Sequence, residues 1–228
     1  MERHFDQELQ GLKDSLLTMG GRAEAVIQKS VESLKRRDPQ LADEVITDDR
    51  VIDRIEIEID EDCVSLLALR QPMAVDLRFI TGVLKISNDL ERVGDHAVNI
   101  AGCSKRLALE PPLKPLVDIP RMVDLASGML REALDAFVRH DAASARSVVS
   151  RDDEVDNLNQ QLFRELVSYM IEDPHTITRA MELILVARNL ERVADLATNI
   201  AEEVVFITEA RIIKHHADER VGNDFGRS

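Results

Sequence analysis

Tryptophan is missing from this chain of 228 residues, and aromatic residues make up only 3% of it. Glycine is scarce, at nine residues. Strand-like runs of alternating Val, Ile, Tyr and Phe are missing too. This profile argues against β-rich architectures and for an all-α protein of long helices. No apolar run approaches the ~18 to 20 residues that span a bilayer. The start, Met1-Glu2-Arg3-His4-Phe5, lacks the apolar stretch of a signal peptide, so a cytoplasmic location is expected. The only cysteines, Cys63 and Cys103, read as reduced core residues rather than a disulfide. There is no Walker A loop, no dinucleotide fingerprint and no pair of Glu-x-x-His motifs, which argues against a P-loop ATPase, a dinucleotide enzyme and a ferritin-like oxidase. Basic surplus is absent as well. The net charge is −14, which speaks against nucleic acid as the main partner.

What is present is a repeat. Leu90-Glu91-Arg92-Val93-Gly94-Asp95-His96-Ala97-Val98-Asn99-Ile100-Ala101 returns as Leu190-Glu191-Arg192-Val193-Ala194-Asp195-Leu196-Ala197-Thr198-Asn199-Ile200-Ala201, with nine of twelve positions identical. Asp49 and Asp53 correspond to Asp152 and Asp156, and Pro72 to Pro174. Upstream, Met19, Ala23, Ile27, Val31 and Leu34 align with Met122, Ala126, Leu130, Leu134 and Phe137, each set an apolar helical face. Apolar phase alone would align any two amphipathic helices. It would not reproduce a charged signature in order, so the chain is a duplicated unit.

Turn residues divide it into six helices, at about 4–36, 40–70, 73–108, 121–139, 142–171 and 175–213. Asp38-Pro39 suits an N-cap followed by proline in the first turn. Four of the seven prolines fall in 111–120, an extended linker. The expected architecture is two tandem antiparallel three-helix bundles, 1–110 and 121–216, followed by a polar tail over 217–228. Lys214-His215-His216 reads as a solvated helix end.

The acids gain meaning on these helices. Asp49, Asp53, Glu56 and Asp60 form one stripe on the second helix, and Glu91 and Asp95 another on the third. Asp152, Asp156, Glu191 and Asp195 repeat the plan. Antiparallel neighbours could bring each set together, and four carboxylates at one place repel unless a cation lies among them. The candidates are the arginines, Arg92 and Arg192, or a bound hard metal ion suited to oxygen ligands. A solvated or salt-bridged helix face is the simpler alternative. His96 is replaced by Leu196, so histidine is no shared ligand. The segment Asp76–Arg78, beside Pro72, is expected to pack at the turn between helices.

The two signature copies, with Arg70-Gln71-Pro72-Met73-Ala74-Val75-Asp76-Leu77-Arg78-Phe79-Ile80, Phe5-Asp6-Gln7-Glu8-Leu9 and Met19-Gly20-Gly21, resemble the PhoU family of phosphate-specific transport accessory proteins. That resemblance implies a non-enzymatic regulator of phosphate uptake, typically a homodimer, that represses the phosphate-starvation response. It also implies as partners the ATPase subunit of the phosphate ABC transporter and a sensor histidine kinase, with the membrane reached only through them. The implied metal ligands are Asp49, Asp53, Glu91 and Asp95, and Asp152, Asp156, Glu191 and Asp195, for iron, zinc, manganese or magnesium. Asn99 and Asn199 could add amide oxygens. Gly102 against Glu202, and Glu56 against Asn159, make the two sites unequal. A carboxylate-bridged metal hydrolase or oxidase is the alternative reading, and a scaffold whose acids merely pair with arginine is a third.

Overall fold

In the computed structural model, residues 2–213 are described, and they contain no strand. The expectations for Lys214-His215-His216 and for the tail 217–228 lie outside these residues. Seven α-helices run α1 Glu2–Arg36, α2 Pro39–Arg70, α3 Ala74–Ala108, α4 Asp118–Arg139, α5 Ala142–Val149, α6 Asp152–Glu172 and α7 Ile177–Glu209, with a 3₁₀ turn at Pro174–Thr176 before α7.

Helix starts follow local chemistry. Asp38 caps α2 by accepting from the amides of Gln40 and Leu41, with Pro39 in the first turn, where its missing N–H costs nothing. Asp141 caps α5 in the same way through Ala143 and Ser144. Helix ends use the left-handed conformation without glycine, at Gln71, His140 and Ala210.

Three expectations need correction. The helix expected over 142–171 is two helices, parted at Ser150-Arg151. Asp152, Asp153 and Glu154 favour a fresh N-terminus there, where the helix dipole welcomes anions. The last helix ends at Glu209, not 213. Helix α4 starts at Asp118, three residues early, because Pro120 falls within the first turn, where no backbone donor is needed.

The bundles are α1, α2 and α3, then α4, α5/α6 and α7. The repeated apolar faces form the core: Met19, Ala23, Ile27, Val31 and Leu34 and their counterparts Met122, Ala126, Leu130, Leu134 and Phe137 are all buried. Cys63 and Cys103 are free and buried, and burial pushes both thiols up to about 12. The bundles join through α1 on α4 and, most extensively, α3 on α7. At the first junction a Cβ on Gly20 would lie 2.3 Å from Leu134 Cδ1, so a larger residue would require that side chain to move. At the second, Arg106 meets Glu182, His96 meets Asn189 and Lys85 meets Glu203. Numbers rise on α3 as they fall on α7, so the helices are antiparallel and the signatures lie side by side about a pseudo-twofold axis.

Candidate functional site

Burial along the signatures explains their sequence. Leu90, Val93, Ala97, Ile100 and Ala101, with Leu190, Val193, Ala197, Ile200 and Ala201, fill the core. The intervening charged positions are left on one face of each helix. On α2, Ile52 and Ile59 point inward and place Asp53 and Glu56 at the edge of that face. Asp49 goes deeper. It is 9% exposed, and its Oδ1 is buried without a hydrogen-bond partner. It fits because Gly94 stands opposite: a Cβ there would lie 2.2 Å from Asp49 Oδ1. The glycine of the first signature is thus room for a carboxylate.

Each repeat brings its acids within electrostatic reach. In the first, burial, then Asp53, Asp95 and Glu91, push Asp49 up to about 6. Glu91 is raised by burial and by Asp95, Asp53 and Glu56. In the second, burial, then Asp195, Asp156, Asp153 and Glu191, push Asp152 up to about 6. Asp156 and Glu191 are raised in the same direction, first by burial. Asp152 Oδ1 is also buried without a partner. The same orphaned oxygen therefore occurs at equivalent positions of both repeats. An anionic oxygen removed from water with nothing to accept from is costly, and a cation removes that cost.

The two sites differ. Arg92 turns back to Asp89 at 3.3 Å, whereas position 189 is asparagine and Arg192 turns forward to Asp195 at 2.7 Å. Asn159 Nδ2 donates to Glu191 at 3.1 Å, where the first repeat sets Glu56 against Glu91. Asp152 opens α6, while Asp49 lies well inside α2. The first cluster is consequently the more anionic. Asn159 and Arg192 partly neutralise the second.

His96 does not join its own repeat's acids. Its Nδ1 lies 2.9 Å from Asn189 Oδ1 across the pseudo-twofold axis. It lines a cavity of about 260 Å³ with Arg92, Asp152, Arg192, Asp195 and Asn199. Sequence spacing missed this, although the exchange of Asp89 for Asn189 was the visible signal. Asn99 is exposed. Around Asp76 and Arg78, which are half-buried, the expected packing holds only in part: Met73 is 80% and Val75 61% exposed, since this turn has no further element to cover it.

All eight predicted carboxylates lie on two clusters, four to each. Among the described residues no three His, Cys, Asp or Glu side chains are already gathered to hold one ion. Coordination would therefore require side-chain closure, which the half-exposed members permit. The donors are carboxylate oxygens, the chemistry of hard cations.

Comparison with known proteins places this duplication. The PhoU domain model matches twice, at residues 16–103 and 119–204. The chain is 43% identical over 215 residues to a phosphate-specific transport system accessory protein PhoU homolog of Aquifex aeolicus, covering 94% of this chain and 97% of that one. It is 39% identical to the Pseudomonas aeruginosa homolog, over 94% and 89% of the two chains. The crystal structure of PhoU from P. aeruginosa superposes with a TM-score of 0.88 at 40% identity, covering 91% of this chain and all of that one. That of the phosphate transport system regulatory protein PhoU from Streptococcus pneumoniae gives 0.83 at 30%, over 92% and 99%. With two matched domains, an all-helical duplicated fold and these relatives, the chain belongs to the PhoU family.

Proposed function

We propose that this protein is a cytoplasmic, non-enzymatic adaptor of phosphate uptake and a repressor of the phosphate-starvation response. It acts as a homodimer between the ATPase subunit of the phosphate ABC transporter and a sensor histidine kinase. Metal ions on its two acidic clusters shape the contact face. The relatives' names, accessory and regulatory proteins of phosphate transport, support the setting. No helix among the described residues is long and apolar enough to cross a membrane, which suits contact with a transporter through its ATPase.

The observation that carries the metal part is the pair of orphaned buried oxygens, Asp49 Oδ1 and Asp152 Oδ1. Asp49, Asp53, Glu91 and Asp95 would hold one centre and Asp152, Asp156, Glu191 and Asp195 the other. Iron, manganese, magnesium or zinc would supply positive charge there, and no redox turnover is required. Arg92, paired with Asp89, leaves the first cluster to the ion, while Arg192 competes for Asp195 at the second.

The test is biolayer interferometry of the purified chain against the ATPase subunit and the kinase sensor domain of its own organism, with Mn(II) and after chelation. Binding of both partners, weakened by chelation, is the expected result. Binding of neither partner would refute the adaptor reading. Binding indifferent to chelation would refute the metal part alone.

A further inference from the structure

The duplicated faces have diverged in charge. Between α6 and α7 lies an open groove of about 450 Å³, lined by Arg164, Arg188 and Arg192 together with Phe163 and Ile184. One carboxylate, Glu191, lies among them. At the corresponding positions of the first repeat, Arg164 is Glu61, Phe163 is Asp60, Arg188 is Asn88 and Asn159 is Glu56. One copy of the fold is stable with acids on this face, so folding does not require the arginines. In a chain of net charge −14, a basic groove is a local exception. Arg164 and Arg188 are both exposed, and Arg188 lies near enough to Glu191 to favour its ionised form.

The groove continues as an apolar strip. Ile177, Met181 and Ile184 precede Arg188 and Arg192 at spacings of four, three, four and four residues, one stripe along α7. Phe163 is 51%, Ile177 46% and Met181 46% exposed, as is Ile171 on α6 at 77%. Exposed apolar side chains gathered on one helix face beside charged groups mark an interaction surface. From Ile177 to Arg192 the stripe extends roughly 22 Å, the length of a helix of about fifteen residues.

We propose that the α6–α7 groove docks an amphipathic acidic helix of a partner protein, its apolar side chains on Phe163, Met181 and Ile177 and its carboxylates on Arg164 and Arg188, with Arg192 held by Asp195 at the groove's edge. This is the helix-in-groove mode of recognition, with complementary charge fixing direction. It rests on the adaptor reading for its biological role and on the groove alone for its chemistry.

The test uses the full chain and three fluorescein-labelled 16-residue peptides in fluorescence anisotropy. One carries leucines at helical spacing with glutamates elsewhere, the second replaces glutamate by lysine, and the third replaces leucine by serine. The glutamate–leucine peptide should bind at least about tenfold more tightly than either other. Arg164→Glu with Arg188→Glu, and separately Met181→Asp, should each weaken it about tenfold, and raised salt should weaken it further. Arg22→Glu, whose side chain is exposed on α1, should change nothing. If charge reversal disturbs folding by circular dichroism, Arg164→Gln with Arg188→Gln replaces it, with a smaller loss in the same direction. Equal binding of the three peptides, no binding, or unchanged affinity in the variants would overturn the proposal. So would variants that alter self-association by sedimentation while leaving the peptide's affinity intact, for the occupant would then be a second copy. Peptide binding without repression in cells would sink the adaptor reading while sparing the groove, and repression without peptide binding would do the reverse.

Discussion

Replacing Asp49 by asparagine should stabilise the metal-free protein, against the usual expectation for a residue in a functional motif. The carboxylate is 9% exposed, has one oxygen without a partner, and shares its site with Asp53, Asp95 and Glu91. Burial first, and these acids next, move it from 3.8 to about 6. At about 1.4 kcal/mol per tenfold change, that displacement sets up to about 3 kcal/mol against the folded state whenever the group is ionised. Asparagine keeps the shape and removes the charge, but its amide donors also need partners, at a cost of about 1 kcal/mol. The net gain is about 2 kcal/mol, or about 4 to 8 °C in Tm for a chain of this size. The pH dependence has a definite sign. Between about pH 4 and pH 6 the folded state binds more protons at this group than the unfolded chain does, so the wild-type penalty is full above about 6 and fades as pH falls. The advantage of Asp49→Asn should therefore be largest near pH 7.5 and give way near pH 4 to a slight disadvantage, of up to about 1 kcal/mol. Thermal melts in EDTA across this range measure it. Added Mn(II) should reverse the order, because ligand binding to the native state stabilises the wild type selectively. A variant that is less stable in EDTA at neutral pH, or a difference independent of pH, would refute the reasoning.

Further outcomes follow from the same geometry. Gly94→Ala gains about 1 kcal/mol of helix propensity but drives its Cβ into Asp49 Oδ1, so stability should change by under about 1 kcal/mol while metal affinity at the first cluster falls about tenfold or more by calorimetry. An unchanged affinity would show that Asp49 is not a ligand. Asp95→Ala with Asp195→Ala should abolish tight metal binding and leave the far-UV dichroism intact, since these side chains are exposed or half-exposed. Lost helix would make them structural instead. Lys85→Met should cost about 2 to 3 kcal/mol in urea melts, because Glu203, 3% exposed and 2.9 Å from Lys85, would be left buried and unpaired across the α3–α7 junction. Adding Glu203→Leu should recover most of that loss, and no recovery would locate the cost elsewhere.

The sequence carried the architecture because charge order, unlike apolar phase, cannot repeat by chance. The Asp38-Pro39 cap, the two core faces and both acid clusters follow from spacing and local chemistry. The break at Ser150-Arg151 did not, since the apolar period on either side stays helical and the acids that open α6 read equally as a charged face of one helix. Nor did the depth of Asp49, which depends on a glycine about forty-five residues away in sequence, legible only as the change from Gly94 to Ala194. The reach of His96 across the axis is a property of how α3 crosses α7, which no single helix encodes. The basic groove was hidden by position, because its arginines alternate between two helices and show as a patch only once these pack.

The most direct test of the account is a phosphate-starvation reporter in a strain lacking its own family member, grown in ample phosphate and complemented with this chain. The account predicts that the reporter switches off with the wild type and stays on with the variant carrying Asp49→Asn, Asp95→Ala, Asp152→Asn and Asp195→Ala at equal abundance. A reporter that stays on with abundant, folded wild-type chain would contradict the repressor claim. One silenced equally by both chains would contradict the role given to the acidic clusters.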